Sequence, residues 1–514
     1  MTPTDSALLL TAPVAVPLAA AAAHAVAWRR TAVARTAVSS APAPQGRLPQ
    51  WAGLLAPAAI LVSAVVLAAS VPAHGPVGAY GRLLRADGLS VWMLLVVGAV
   101  ALLALAASPG YLAGERAAGH TDEAGAHRYY ALVHAFLAAM CLALLAANLG
   151  VVWVAIEATT IVTAFLVGHR HTRTSVEAAW KYVVICSAGI ALAFLGTVLV
   201  YYAARQAGIS EASALDWPTL AAHADRLDPA VTRLGMALVV LGFGAKAGLV
   251  PLHAWLPDAH SQAPAPVSAL MSGVLLAVSF TALLRFKVIA DTALGTGYTR
   301  ALLAAVALLT LCLAAALLLA QRDYKRMLAY SSMEHMSVIA LGAAIGSPAV
   351  MSAALLHVAG HGLAKTVAFC SSGHILRLRG TTRIGRVRGL LAQSPALGAV
   401  FGLAVVALLG MPPFSLFASE VGIVRGGYAG GLGWAVSPAL VLVLLAFAAL
   451  GYRTGRMVLG PPQPAGHPGG VPHALGAVAA APLVAGLVAC AALGTALGPL
   501  SDLLSAAAAI TAGR

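Results

Sequence analysis

Lys181-Tyr-Val-Val-Ile-Cys186-Ser187-Ala188-Gly189 leads into an apolar run that continues to residue 203. Lys365-Thr-Val-Ala-Phe-Cys370-Ser371-Ser372-Gly373 repeats its lysine, cysteine, serine and glycine at the same spacing. Apolar runs of about 20 residues are long enough to cross a bilayer as helices. Fourteen fill the chain: 7–27, 51–70, 87–107, 130–147, 151–168, 176–203, 231–250, 265–286, 300–320, 325–345, 349–376, 394–424, 434–453 and 471–498. Asn148-Leu149-Gly150 is the only turn signal between the fourth and fifth. The repeated motif falls on segments 6 and 11. An odd number of crossings separates them, so the two helices run in opposite directions, which makes an inverted-topology repeat of segments 4–8 and 9–13.

A second correspondence supports the repeat. Segment 7 carries Gly248-Leu-Val-Pro251 and segment 12 carries Gly410-Met-Pro412-Pro413. Paired Gly/Pro interruptions in two halves point to discontinuous helices lining an ion path. Segments 5 and 10 match more loosely through Glu157 and Glu334. The expected fold is all-α and integral to the membrane, with helices 7 and 12 broken. Its organisation is helices 1–3 over residues 1–129, the first five-helix repeat over 130–290, the second over 291–455, and helix 14 over 456–514.

The composition agrees. The chain of 514 residues is 60% hydrophobic and only 9% charged, and no loop is long enough for a soluble domain. Helices satisfy their own backbone groups in lipid, and the segments are too long and too unalternating for barrel strands. The net charge of +14 does not point to nucleic acid. With the amino terminus outside, Lys and Arg fall about two to one in the loops that face the cytoplasm, as the positive-inside rule expects. Both termini are then outside. The cluster Arg377, Arg379, Arg383, Arg386 and Arg388 reads as a cytoplasmic topology anchor touching anionic lipid. The first segment lacks a basic flank before its apolar run, so it does not read as a cleaved signal peptide. The five cysteines all lie in apolar runs without a CxxC pair, against an iron–sulfur or zinc site in this chain.

Chemistry concentrates on a few charges. Of five lysines, Lys181, Lys246 and Lys365 fall inside the apolar segments, as do Glu157, Glu334 and Glu420, while surface charge is carried almost wholly by arginine. Ionisable groups at bilayer depth are costly and mark ion pathways or proton relays. Lysine can be drawn toward neutrality by desolvation, whereas arginine stays charged. Glu157 must be protonated or paired, with Lys246 or Lys181 as partner; a static ion pair locking helices is the structural alternative. Lys181 lies near the start of its helix, where snorkelling to the interface competes with a buried role. His357, His361 and Lys365 recur every four residues on one helix face. They read as a proton file, with core histidines or a metal site as alternatives. An i, i+4 histidine pair is a weak zinc signal, and a lysine one turn on repels a cation.

Four long motifs carry a family resemblance. They are Gly244-Ala-Lys246-Ala-Gly248-Leu-Val-Pro251-Leu-His253-Ala-Trp255-Leu-Pro257-Asp258-Ala-His260-Ser-Gln-Ala-Pro264, Arg322-Asp323-Tyr-Lys325-Arg326-Met-Leu-Ala-Tyr330-Ser-Ser-Met-Glu334-His335-Met336, His357-Val-Ala-Gly-His361-Gly-Leu-Ala-Lys365, and Gly410-Met-Pro-Pro-Phe414-Ser-Leu-Phe-Ala-Ser-Glu420. Over roughly residues 130–425 the chain resembles the antiporter-like proton-channel subunits of respiratory complex I, multisubunit sodium/proton antiporters and membrane-bound hydrogenases. Glu157-Ala-Thr-Thr and Ser-Met-Glu334-His335-Met most resemble the hydrogenase-4 or formate-hydrogenlyase component F type.

The resemblance implies that Glu157 and Lys246 form a gating pair and that Lys181 joins them. It makes Lys365 with His357 and His361 the link into the second half, and Glu420 the terminal group in the broken twelfth helix. Complex I subunits carry a helix-8 lysine where Ala277 stands here, and a serine where Glu334 stands. Glu334 with His335 is therefore expected to supply the charge between the halves. The implied function is proton conduction as a subunit of a membrane redox complex. Nickel–iron and iron–sulfur centres would reside in partner subunits, which include other membrane subunits and a peripheral redox arm, in the inner (plasma) membrane. The alternatives are a cation/proton antiporter subunit without a redox partner, and a structural membrane anchor.

Overall fold

The computed structural model describes residues 2–36, 51–461, 475–498 and 500–512. Among them, twelve helices are long and apolar enough to cross a membrane. Two further crossings complete the expected fourteen. Tyr324–Ile345 forms the tenth span, and the twelfth is split into Pro395–Leu408 and Ser415–Ala429. The only sheet among the described residues is a short antiparallel pair, Val77–Ala79 with Leu84–Ala86, between spans 2 and 3.

The weak boundary between spans 4 and 5 is a built turn. Span 4 ends at Leu145 and span 5 starts at Leu149. The Asn148 side chain caps the new helix by accepting from the backbone N–H groups of Gly150 at 2.8 Å and Val151 at 3.2 Å, which satisfies donors the first turn leaves orphaned.

Span 7 is Pro229–Lys246, then an irregular stretch, then the short helix Trp255–Gln262. The expected segment 231–250 ran across this break. Gly248 takes a left-handed conformation (φ +80°) that ends the first helix. The Ala245 carbonyl accepts a hydrogen bond from Trp255 Nε1 at 2.9 Å across the break. Gly410 (φ +58°) ends the first half of span 12 in the same way, ahead of Pro412 and Pro413.

Spans 6 (Arg173–Gln206) and 7 meet along a seam of small residues. A Cβ at Gly189 would come within 2.7 Å of Ala245 Cβ, and one at Gly196 within 2.7 Å of the Gly235 carbonyl. Such seams let backbones approach closely, and this one sets Lys246 against span 6. Spans 8 (Ala265–Leu294) and 11 (Pro348–Arg379) are enclosed by other helices along their apolar windows. Their polar side chains therefore face protein, not lipid. Span 8 widens to a π-helical turn at Met271–Leu275, a feature that often marks a functional region.

Two features of the ends were not expected. The carboxy-terminal part holds helix Ala477–Thr495 and also a second helix, Leu500–Thr511, which packs on the start of span 3 (Gly88–Ala117). It was missed because twelve residues are too few to span a membrane. Residues 471–474 of the fourteenth expected segment lie outside the described residues. At the opposite face, Arg383, Arg386 and Arg388 of the predicted anchor join Arg322, Arg326, Arg453 and Arg456 around a cavity of about 1000 Å³.

A buried ion pair ties span 3 to span 8. Arg285 donates to both Asp87 oxygens, at 2.5 and 2.8 Å, and to Ser90 Oγ at 3.0 Å, with its guanidinium 4.1 Å from the centre of the Trp217 ring. Burial alone would raise the Asp87 carboxyl, but Arg285 beside it holds it below its ordinary value. Arg285→Ala leaves this carboxylate unpaired and is expected to cost about 3–5 kcal/mol, read as a lowered unfolding temperature in detergent. Asp87→Asn added to Arg285→Met, which keeps the cap on Ser90, should restore most of it.

Candidate functional site

The break in span 7 makes Lys246 the last residue of a helix, where the helix dipole favours a cation. Its ammonium is fully buried. It donates to Tyr182 Oη at 2.5 Å and Thr160 Oγ1 at 2.8 Å, and lies 4.7 Å from the centre of the Tyr182 ring. Thr160 in turn donates to Glu157 Oε2 at 3.1 Å, and Ser187 donates to Glu157 Oε1 at 3.0 Å. Glu157 and Lys246 are thus brought together through a hydroxyl, not in direct contact. Thr160 accepts from one and donates to the other. It stands one helical turn after Glu157, a spacing that could have singled it out.

Lys181 does not join them. Its side chain is 48% exposed and pairs with Glu177 at 2.7 Å and Asp258 at 3.3 Å. The cause is its place two turns into span 6, beside a glutamate one turn back and the first turn of the short helix after the span 7 break. The buried lysines are instead Lys246, Lys287, Lys325 and Lys365. Lys325, expected near a loop, is covered by that short helix and donates to the Ser261 and Ala263 carbonyls, each at 3.2 Å. Lys287 pairs with Asp291 one turn on at 2.6 Å.

Between the halves, Ala277 offers no charge. Two other polar links lie there. Ser272, in the π-helical turn, shares a 2.6 Å hydrogen bond with Ser332 of span 10. His260, fully buried, donates from Nδ1 to the Leu256 carbonyl at 2.8 Å, which leaves Nε2 without a partner among the described residues. Its ring sits 5.9 Å from that of Trp255 and 5.7 Å from that of Phe369 on span 11. Trp255 itself stacks edge-on against Tyr182, the partner of Lys246, at 5.0 Å. His260 was quoted in the sequence motif without a role; its burial is what reveals one.

In the second half, Lys365 donates to the Leu328 carbonyl at 2.8 Å and to Ser331 Oγ. His361 lies one turn before it, its ring 5.1 Å from that of His335 and both its nitrogens without a partner among the described residues. His335 Nδ1 lies 3.1 Å from His357 Nε2, and His357 Nδ1 lies 2.9 Å from Ser419 Oγ. Because the Ser419 hydroxyl donates to the Leu416 carbonyl at 2.8 Å, it can only accept from His357. That places the proton of His357 on Nδ1 and leaves Nε2 to accept from His335. Glu334 Oε2 is 3.4 Å from His335 Nε2. Glu420 completes the group beside Gly410, where any Cβ would collide with its carboxylate. The predicted residues Glu334, His335, His357, His361, Lys365 and Glu420 therefore form one cluster on spans 10, 11 and 12, with Pro412 and Pro413 at its edge.

Two openings approach these groups. One of about 450 Å³, from the arginine-rich face, is lined by Tyr111, Glu115, Arg170, His374 and Arg377 and reaches Cys370 on span 11. The other, about 440 Å³, is a mainly apolar groove on the flank between spans 5 and 6, lined by the exposed Ile161, Phe165, Val176 and Trp180 together with His171, Thr160 and Ser187.

Residues 146–446 match the family model described as NADH:quinone oxidoreductase/Mrp antiporter, TM. The chain belongs to this family. It is 36% identical over 349 residues to a hydrogenase-4 component F homolog of Methylacidiphilum infernorum, covering 68% of this chain and 73% of that one. It is 30% identical over 388 residues to NADH-quinone oxidoreductase subunit N of Desulforudis audaxviator, covering 75% and 74%. A chain of the membrane-bound sulfane sulfur reductase, an archaeal respiratory membrane complex, shares the fold with a TM-score of 0.82 at 24% identity, over 98% of this chain and 97% of that one. The protein is a multi-span membrane subunit of this antiporter-like type.

The Gly410 contact yields a direct check on Glu420. Gly410→Ala must displace the carboxylate, so labelling of Glu420 by an apolar carbodiimide, read by mass spectrometry, should change several-fold against wild type. Gly297→Ala, where a Cβ meets nothing, should leave it unchanged.

Proposed function

We propose that this subunit conducts protons across the bilayer within a membrane redox complex of the hydrogenase-4 or NADH:quinone oxidoreductase kind. The observation that carries the reading is the enclosed, oriented chain of exchangeable groups. Glu157, Thr160, Lys246 and Tyr182 form one end. His260 and the Ser272–Ser332 pair stand in the middle. Lys365, His361, Glu334, His335, His357 and Glu420 form the other end. Buried ionisable groups of this kind are expensive in a membrane and mark transport pathways.

Protons enter from the arginine-rich face, through the opening past Glu115 and Arg170 that reaches Cys370, and leave past Glu420. That face is the cytoplasmic one, supported by its seven clustered arginines, so both termini lie outside the inner (plasma) membrane. Lys181, with Asp258, belongs to the cytoplasmic face and not to the buried relay. Hydroxyls join lysine and carboxylate so that a proton shift across Thr160 uncouples Glu157 from Lys246, which makes a gate. Glu334 and His335 take the place of the missing helix-8 lysine by relaying toward His357, with His260 closing the gap to Lys246.

Electron transfer belongs to a peripheral redox arm, and nickel–iron or iron–sulfur centres belong to partner subunits.

The test uses the whole complex in sealed vesicles, with proton uptake and redox turnover followed together. Thr160→Val, which removes the hydrogen bonds to both Lys246 and Glu157, should lower uptake per turnover about tenfold or more, since a hydrogen bond to a charged group is worth about 1.5–3 kcal/mol, and Thr160→Ser should keep most of it. Glu334→Gln should abolish uptake. Intact uptake in an assembled Glu334→Gln complex removes Glu334 from the path. Uptake that needs sodium but no electron donor favours the antiporter reading, and no uptake at all favours the anchor.

A further inference from the structure

The histidine cluster has a property that proton conduction does not require. One nitrogen of His335, one of His357 and a Glu420 carboxylate oxygen all lie within 4.8 Å of one another, on three different spans; His335 Nδ1 and His357 Nε2 are the nitrogens that face each other. We propose that these two nitrogens and the carboxylate oxygen form a binding site for a divalent cation, with Zn²⁺ the best-matched ion, and that the loaded site blocks the relay.

The spacing of the nitrogens is the first reason. They stand 3.1 Å apart, close to the ~3.3 Å between two ligands of a tetrahedral zinc with metal–nitrogen distances of about 2.0–2.1 Å. The second reason is what holds the His357 ring from behind. Histidines that bind metal almost always offer their other nitrogen to a hydroxyl, carbonyl or carboxylate, which fixes tautomer and orientation. His357 Nδ1 is held by Ser419 Oγ at 2.9 Å, and that hydroxyl is itself committed to the Leu416 carbonyl. The lone pair of His357 Nε2 therefore points into the cluster. His335 Nε2 lies 3.4 Å from Glu334 Oε2 without a hydrogen bond, so its Nε2–H form would lie beside a carboxylate once Nδ1 binds a cation. The third reason is Glu420, whose Oε1 is buried and has no hydrogen-bond partner among the described residues. Its side chain is less enclosed than the two histidines, which leaves a way in beside the break in span 12.

The lysine that argued against a metal at the sequence level, Lys365, bonds Ser331, one turn before the ligand His335 on span 10, and acts on that ring electrostatically. It stands farther from His357, two turns or about 12 Å along the helix, with its ammonium turned to the Leu328 carbonyl and Ser331. The histidine one turn from it, His361, is not a ligand. Two carboxylates, Glu420 in contact and Glu334 behind His335, balance the charge of a dication. Three protein ligands leave one coordination position open. A cation here occupies both nitrogens across which His335 passes a proton to His357; that blocking claim rests on the conduction reading, while binding does not.

Binding is tested on the purified, tag-free complex with Co²⁺, whose visible absorption reports four-coordinate nitrogen and oxygen ligation, and with Zn²⁺ by equilibrium dialysis. Wild type should take up one Zn²⁺ that displaces the Co²⁺ band. His357→Ala and Glu420→Gln should lose it, Ser419→Ala should bind roughly 10–100-fold more weakly, and His223→Ala, remote from the cluster, should bind as wild type. If His357→Ala does not assemble, Glu420→Gln, which preserves shape, carries the test. No band in wild type, or a band that survives both substitutions, overturns the site. Zn²⁺ at concentrations that load the site should stop proton uptake in vesicles. Binding with undiminished uptake overturns the block, and absent uptake in untreated vesicles overturns the conduction reading while the Co²⁺ result stands by itself.

Discussion

Lys246 ends a helix inside the membrane, and its ammonium is held there by two hydroxyls instead of a carboxylate. That arrangement governs much of the rest. A cation at this depth has no water to solvate it, so the protein must supply donors, acceptors and a favourable dipole. The broken helix provides the dipole end. The glycine seam between spans 6 and 7 brings Tyr182 within reach, and span 5 contributes Thr160. Each element is explained by the need to keep one charge satisfied without locking it. A direct Lys246–Glu157 ion pair would be a rigid contact; the intervening hydroxyl leaves both groups free to change state.

The second half solves the same problem with a different material. Here the long-range order comes from imidazoles, each carrying one donor and one acceptor, lined up so that the proton positions follow from one fixed hydroxyl, Ser419. The same ordering that makes the chain of histidines directional presents two lone-pair positions to a cation. Conduction and metal binding are two uses of a single arrangement, the His335–His357 pair oriented by Ser419.

Much of this was legible in the sequence. Segment length and apolarity gave the fourteen crossings, and Gly248, Pro251, Gly410 and Pro412 marked both broken helices. Glu157, Lys246, Glu334, His357, Lys365 and Glu420 stood out because charge is rare in such segments. What the sequence hid is equally physical. Thr160, Ser272 and Ser332 are uncharged and common in membrane helices, so nothing in composition separates a bridging hydroxyl from a packing one. Lys181 and Lys325 exchanged their expected places because burial near a span's end depends on which loop folds over it, and the short helix Trp255–Gln262 covers Lys325 while leaving Lys181 open. Arg285 and Asp87 are nearly two hundred residues apart, and only tertiary contact pairs them. His260 lay within a recognised motif, but its role depends on the rings that enclose it.

The central claim is that Lys246 carries or gates the proton. The most direct measurement is proton uptake per electron in sealed vesicles containing the whole complex, comparing wild type with Lys246→Ala while redox turnover and assembly are followed in parallel. The account predicts an assembled complex whose uptake per electron collapses. An assembled Lys246→Ala complex that pumps as many protons per electron as wild type would contradict it, and would make the buried lysines structural.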